Sequence, residues 1–319
     1  LALLDSIAAV IGVLTPETSA VIATTVRTFD SVLCFGDSDW WYHNRGHADM
    51  QFMRRFARQW RTIYVNSLGV HMPTVVEGRM FARRVARKLK SFARFYRDGG
   101  EGFSVLTPIY APLRNGLVAG AARSALAAQI KTVLKLCGMH RPLIWIACPT
   151  AADVVPRLPR AGVVFQLSDF YGGLFQERAG RLDRSVEDHQ QRLVQTADVV
   201  ICSSDELHAR AKASCHNAFY VDHGVDYELF ASVSSGDAPP AALETASRPI
   251  AGFFGNLDGN TVDRALLEAV IRLRPHYNFA LVGPMASDFE TLKRHPNVIA
   301  TGQQPYRSIP RFGAAFDVC

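Results

Sequence analysis

Short apolar runs alternate along this chain with longer stretches in which apolar positions recur every three or four residues. Ser31–Phe35, Thr62–Val65, Ser104–Pro108, Leu143–Ala147, Val163–Leu167, Val199–Cys202 and Phe219–Val221 are the short runs, and they read as strands. Their near-continuous hydrophobicity predicts burial on both faces, as in a parallel sheet. Arg45 to Trp60 (with Met50, Met53, Phe56 and Ala57) and Ala119 to Leu136 carry helical spacing. Ser203 and Ser204 can cap a further helix after Val199–Cys202, with Glu206 placed to support the cap. The rhythm predicts an α/β protein with a parallel sheet.

Ser232 to Pro249 is rich in Ser, Pro and Ala and reads as a linker. The strand–helix pattern restarts at Ile250 with IAGFF, a helix from Asp263 to Leu273, FALVG, Val298-Ile299 and a helix near Tyr306 to Ala315. The closing FDVC looks like the start of another strand. The expected layout is a leader over 1–30, a first Rossmann-like domain over 31–231, a linker over 232–249 and a partial second domain over 250–319. About 70 residues are few for a full Rossmann half, so truncation at the C-terminus is expected.

With 319 residues, 48% hydrophobic and 20% charged, the chain suits a globular protein of two domains rather than a disordered one. A net charge of +6 favours anionic partners such as sugar nucleotides, lipid phosphates or a membrane surface. No nucleic-acid reader motif appears, so nucleic acid is not an expected partner. The six cysteines form no CxxC pair and read as buried reduced thiols of a cytosolic protein. LALLDSIAAVIGVL at the start lacks the basic region of a signal peptide and the length of a membrane span.

Residues 79–98, RMFARRVARKLKSFARFYRD, set Lys and Arg between Met80, Phe81, Val85, Leu89, Phe92 and Phe95 at about helical spacing. That describes either a solvated helix face or an interfacial helix on anionic lipid. Peripheral attachment to the inner leaflet follows from the second reading.

Candidate chemistry gathers at strand ends, where ligands bind in such sheets. Asp37, Asp39, Trp40, Trp41 and His43 follow the first strand. Rings stack on sugar faces and carboxylates accept from hydroxyls, so these residues suit a carbohydrate site, or else packing between domains. His43 and His47 are four apart and share a face if helical; too few ligands converge for a metal. His47 suits either a phosphate contact or a helix start. Asp169 and Tyr171 end a later strand, and Asp169 is a candidate base or orienter of an acceptor hydroxyl, or a loop cap. Gly255, Asn256, Asp258 and Gly259 lie between a strand and a helix, where glycine permits close approach to a phosphate.

The segment Gln195 to Phe230 carries Ala197-Asp198, Ser204, Leu207, Gly224-Val225-Asp226 and Phe230. In that pattern, and in the block from Pro249 to Pro284, the chain resembles the family-4-like GT-B glycosyltransferases of the teichuronic-acid and exopolysaccharide type. It departs at His223, where the family usually has Asn. The resemblance implies two Rossmann-like domains facing a cleft and transfer of a sugar from a nucleoside-diphosphate donor to a glycan or lipid-linked acceptor. It also implies retention at the anomeric carbon, with neither cofactor nor bound metal. It assigns the donor to Gly255, Asn256, Asp258, Gly283, Pro284, Gly302 and Tyr306, and Tyr306 also reads as packing under its loop. The family's Arg and Lys for the diphosphate are not matched, since Asn256 stands near the Arg position. A His common after the strand matching LIWIA is replaced by Cys148-Pro149-Thr150, and the later Glu-x7-Glu motif would lie beyond Cys319. Two rival readings stand beside this one: a nucleotide-sugar epimerase on the same architecture, and a catalytically inactive sugar- or nucleotide-binding protein.

Overall fold

The computed structural model describes residues 28–43, 45–68, 90, 94–110, 116–169, 184–234, 236–259 and 261–319. Most of the expected leader and most of the basic segment 79–98 therefore lie outside the described residues. The chain divides into a first unit, Leu1–His43 with His47–His223, and a second, Asn44–Gly46 with Gly224–Cys319.

The first unit is built on an eight-stranded sheet of order β3-β4-β2-β1-β5-β6-β7-β8. Its strands are β1 (Ser31–Phe35), β2 (Arg61–Val65), β3 (Tyr96–Asp98), β4 (Ser104–Leu106), β5 (Pro142–Ile146), β6 (Gly162–Leu167), β7 (Val199–Cys202) and β8 (Ala218–Tyr220). All neighbours pair in parallel except β3, which runs antiparallel to β4. The expected basic helix thus does not reach Asp98; Tyr96, Arg97 and Asp98 form an exposed edge strand instead. Polar residues at an edge carry no hydrophobic alternation, which is why pattern alone misses this strand.

Strand alternation sorts the buried residues onto two faces. Leu33, Phe35, Ile63, Val65, Ile144, Ile146 and Phe165 point to one face. There they meet Leu126, Ile130 and Leu134 of α2 (Gly116–Leu136), Leu193 and Val194 of α3 (Arg184–Thr196) and Leu207 of α4 (Asp205–Lys212). Val32, Cys34, Tyr64, Leu143, Trp145 and Val164 point to the other, under Met50, Met53 and Phe56 of α1 (Ala48–Phe56). α4 starts at Ser204, whose hydroxyl accepts from the Leu207 N–H at 3.3 Å, as its sequence predicts. Glu206 turns instead to Arg210, 2.7 Å away along the exposed face. Among the described residues no helix is long and apolar enough to cross a membrane.

One carboxylate ties the helical layer together. Asp153, in the 3-10 turn after β5, meets His189 Nε2 at 3.3 Å and Arg192 at 3.0 Å on α3, and Arg123 at 3.5 Å on α2. The His189 hydrogen bond is the first cause holding its pKa at about 2, below the usual 3.8. A depressed carboxylate stabilises fully above its unfolded value and loses that contribution as pH falls through the folded one. We expect Asp153→Asn to cost about 1 kcal/mol at neutral pH, the shift being discounted for the partial solvent access of the carboxylate. Urea titrations at pH 7 and pH 2 check this: the gap between variant and wild type should close at the lower pH.

The second unit holds a three-stranded parallel sheet, order β11-β10-β9, from β9 (Ile250–Phe254), β10 (Asn278–Val282) and β11 (Val298–Gly302). α5 (Tyr227–Ala231), α6 (Arg264–Leu273) and α7 (Ile309–Ala315) complete its helices. α6 is capped by Asp263, which accepts from the Leu266 N–H at 3.0 Å. Within the Ser-, Pro- and Ala-rich stretch, Leu243 is buried with Ile250, Ala280 and Phe312, so that part of it belongs to this unit's core. The closing residues do pair: Val318 bridges Ala251 in parallel, and the Gly252 N–H donates to the Val318 carbonyl at 2.8 Å.

Candidate functional site

From β1 the chain moves outward to β2 and β4 on one side and to β5, β6, β7 and β8 on the other. Such a reversal of strand order leaves a crevice at the carboxyl ends of the two central strands. Here these are β1 and β5, whose ends are joined where the Ala147 and Cys148 N–H groups both donate to the Phe35 carbonyl, at 2.9 and 3.2 Å. The loops after β1, β5, β6 and β8 all emerge on this side.

The β1 loop is held from beneath by a buried carboxylate. Gly36 leaves the strand over the Tyr64 ring, and a Cβ there would fall 2.0 Å from ring atoms. Asp49 on α1, 2% exposed, accepts from the Asp37 N–H at 3.1 Å and the Tyr64 hydroxyl at 2.9 Å. The same hydroxyl lies 2.9 Å from the Ser38 carbonyl. Asp39 folds the next turn by accepting from the Trp41 N–H at 3.0 Å. The expectation that Trp40 offers a ring to a sugar is corrected. It is fully buried, its backbone N–H donates to Asn66 at 2.8 Å, its indole N–H donates to the Gly99 carbonyl at 3.2 Å, and Phe103 packs edge-on at 4.8 Å. Trp41 is half-buried and carries the Arg94 guanidinium over its ring at 5.0 Å.

The two histidines meet, but not as partners on one helix. α1 begins only at Ala48, and Arg45, with φ of 67°, turns the chain between them. Their rings stand edge to face, 4.1 Å apart. Burial first, and His47 second, lower the His43 pKa to about 4. His43 is therefore a neutral imidazole at physiological pH, able to donate and accept one hydrogen bond each. Its contribution is complete above the unfolded value of 6.5 and decays as pH falls toward 4. We expect about 2 kcal/mol of acid-induced loss over that window, the shift being discounted for partial solvent access. NMR titration of the His43 ring, assigned by the spectrum of His43→Gln, should give a midpoint near 4. A midpoint near 6.5 would refute the buried placement.

Asp169 follows β6 at the same end. Crowding by protein raises its carboxyl pKa, against the pull of His223 and His47. Asp169, after β6, thus lies within electrostatic reach of His47, after β1, and of His223, after β8. His223 was not singled out from its residue type; the departure from Asn at that position was the available signal. Tyr171 lies outside the described residues. Cys148 is buried, with its Sγ 3.0 Å from the Thr150 hydroxyl. Burial, with the nearby Asp37 charge, pushes its thiol up to about 11, which leaves it a poor nucleophile. All six cysteines are free thiols. Among the described residues no group of three or more His, Cys, Asp or Glu gathers to hold a metal ion.

In the second unit the assigned glycines sit at strand ends. Gly283, at φ 154°, closes on Gly255, whose N–H donates to the Val282 carbonyl at 3.0 Å. Gly302 ends β11 at φ 71°. Asn256 and Asp258 bond to each other, and Thr261 Oγ1 bonds to the Asn256 carbonyl at 2.7 Å and to Asp258 Oδ1 at 3.3 Å. That side-chain pair therefore shapes its own turn. Tyr306 is half-buried, edge-on to Phe230 at 6.5 Å, which is the packing reading of that residue.

No protein-family model matches the chain. Over 169 residues it is 28% identical to a Bacillus subtilis protein named "Putative teichuronic acid biosynthesis glycosyltransferase TuaH", a match that takes in 49% of this chain and 42% of that protein. Among solved structures, sucrose-phosphate synthase from Thermosynechococcus elongatus superposes with a TM-score of 0.61 at 14% identity, covering 91% of this chain and 74% of that one. HepE of Anabaena, in complex with UDP and glucose, gives 0.55 at 15% identity over 91% and 73%. The fold of this chain is that of the GT-B glycosyltransferases.

Proposed function

We propose that this protein transfers a sugar from a nucleoside-diphosphate donor to a glycan or lipid-linked acceptor during synthesis of a cell-surface polysaccharide. The observation that carries the reading is the 169-residue match to a teichuronic-acid glycosyltransferase, in a chain whose fold also houses HepE with UDP-glucose. In this reading Asp169 receives the acceptor hydroxyl: a carboxylate whose pKa is raised is the better proton acceptor. His43, neutral, orients a sugar hydroxyl. Transfer proceeds with retention and without a bound metal, the leaving diphosphate being stabilised by backbone N–H groups near Gly255 and Gly283. Residues 79–98 hold the enzyme at an anionic inner-leaflet surface; failure to co-sediment with anionic vesicles at low salt would remove that part.

The test is a transfer assay with UDP-glucose as first donor and a panel of other nucleotide sugars, using lipid-linked and oligosaccharide acceptors. Acceptor-dependent UDP release, reduced about a hundredfold or more in Asp169→Asn, is the expected result. Conversion of the donor to an epimer with no acceptor would overturn it in favour of an epimerase. Tight donor binding with no turnover in any combination would favour a binding protein.

A further inference from the structure

A groove of about 520 Å³ opens at the other end of the first unit's sheet, where β2 and β4 begin. Arg58, Gln59, Trp60, Arg61, Asp98 and Ser104 line it. Five residues of β2, at about 3.3 Å each, separate it from the carboxyl-end site, so the two are distinct. Trp60 is half-buried, with one part of its ring held by Phe29 at 5.0 Å and Phe56 at 5.9 Å. Trp60 also lines the groove.

Some of the polar groups that line the groove with that ring are uncommitted. The Arg58 guanidinium, the Gln59 amide and the Trp60 indole N–H make no side-chain hydrogen bond among the described residues. Asp98 uses Oδ1 for the Gly100 N–H at 2.9 Å, which leaves Oδ2 as an acceptor. Arg61 is turned toward the Cys137 carbonyl. Donors and acceptors therefore line the groove together with an aromatic side chain. A hydroxyl is the group that both donates and accepts, and the apolar face of a sugar ring is what an indole edge or face covers. A phosphate, acceptor-only, would meet the Asp98 carboxylate and the negative end of α1, which stops at Phe56 just before the groove.

We propose that this groove is a carbohydrate-binding site, separate from the transfer site, that takes a neutral oligosaccharide stacked on Trp60 and held by Arg58, Gln59 and Asp98. A synthase with such a site keeps its growing glycan close between additions, through effective concentration rather than new contacts at the reaction centre. The binding itself does not depend on the transfer activity.

Saturation-transfer difference NMR with cellotetraose, maltotetraose and chitotetraose as probes tests it on the whole chain. At least one tetrasaccharide should bind wild type. Trp60→Ala should abolish the signal, and Arg58→Ala/Gln59→Ala, which alters exposed side chains only, should weaken binding tenfold or more while the circular dichroism spectrum is unchanged. Absence of binding by all three probes overturns the proposal. Binding that survives Arg58→Ala/Gln59→Ala but is lost in Asp169→Asn overturns it too, by placing the sugar at the transfer site. So does UDP binding that responds to the groove variants in place of any sugar.

Discussion

Gly283→Ala will lose about 3 kcal/mol or more of stability. A Cβ on Gly283 would sit 1.7 Å from the Gly255 carbonyl oxygen and 2.9 Å from its carbon. Both are backbone atoms, so no side-chain rotation relieves the overlap. Nor can the loops separate freely: Leu257 N–H donates to the Pro284 carbonyl at 3.0 Å, and Ala286 N–H returns a bond to the Leu257 carbonyl at 2.9 Å. The φ of 154° adds strain for any side chain. Gly259→Ala is the matched control in the same pair of loops, because its Cβ would meet nothing within 4 Å. Urea denaturation followed by circular dichroism should separate the two variants clearly. If they were equally stable, the close approach of the β9 and β10 ends would be wrong. Donor affinity should fall with Gly283→Ala as well, if the diphosphate lies against these loops.

Asp49→Ala has the second large effect, and it falls on both stability and the site. Removing the carboxylate strands the Asp37 N–H and takes one of two partners from the Tyr64 hydroxyl, both close to the fully buried core of Trp40 and Tyr64. Unsatisfied buried groups of this kind, together with the small cavity, cost about 2–4 kcal/mol. Asp49→Asn keeps an acceptor oxygen at nearly the same place and should recover about half of that loss. Because Asp49 acts through the Asp37–His43 loop, the proposed transfer should lose activity in Asp49→Ala under conditions where the protein is still folded. Stability curves at matched temperature, with activity measured below the transition, distinguish the two effects. Equal stability of Asp49→Ala and wild type would show that the hydrogen bonds contribute nothing.

Much of this architecture is legible in the chain. LIWIA and VVIC are apolar without alternation, and each proves to be a central strand buried on both faces. Ser204 reads as a cap because only a short polar residue can accept the free N–H there, and it does. The misses share a cause. Trp40 stands between polar residues in a loop, so residue type suggests an exposed ring, yet Asn66 and Gly99, far away in sequence, draw it inside. Asp49 is an acid on an amphipathic helix, and such acids are ordinarily solvated; only the tertiary position of Tyr64 makes it a buried strut. His43 and His47 come together through a turn rather than the helical spacing that pairs them on paper. Local pattern thus gives elements and strand ends, whereas the role of a polar residue depends on neighbours that the pattern does not contain.

The three residues of β3 have a consequence for solubility. Without them, the sheet would end at β4, whose Val105 and Leu106 are fully buried. A bare parallel edge with such side chains is a template on which another molecule's strand can grow. Tyr96, Arg97 and Asp98 pair with that edge in reverse direction, all three are exposed, and Arg97 and Asp98 bring opposite charges to it. Three residues give an incoming strand little to register against, and the charges oppose its desolvation. A substitution that replaced Arg97 and Asp98 with valine would leave the fold's interior untouched and still be expected to make the protein aggregate, because the feature it removes protects molecules from one another rather than the molecule from unfolding.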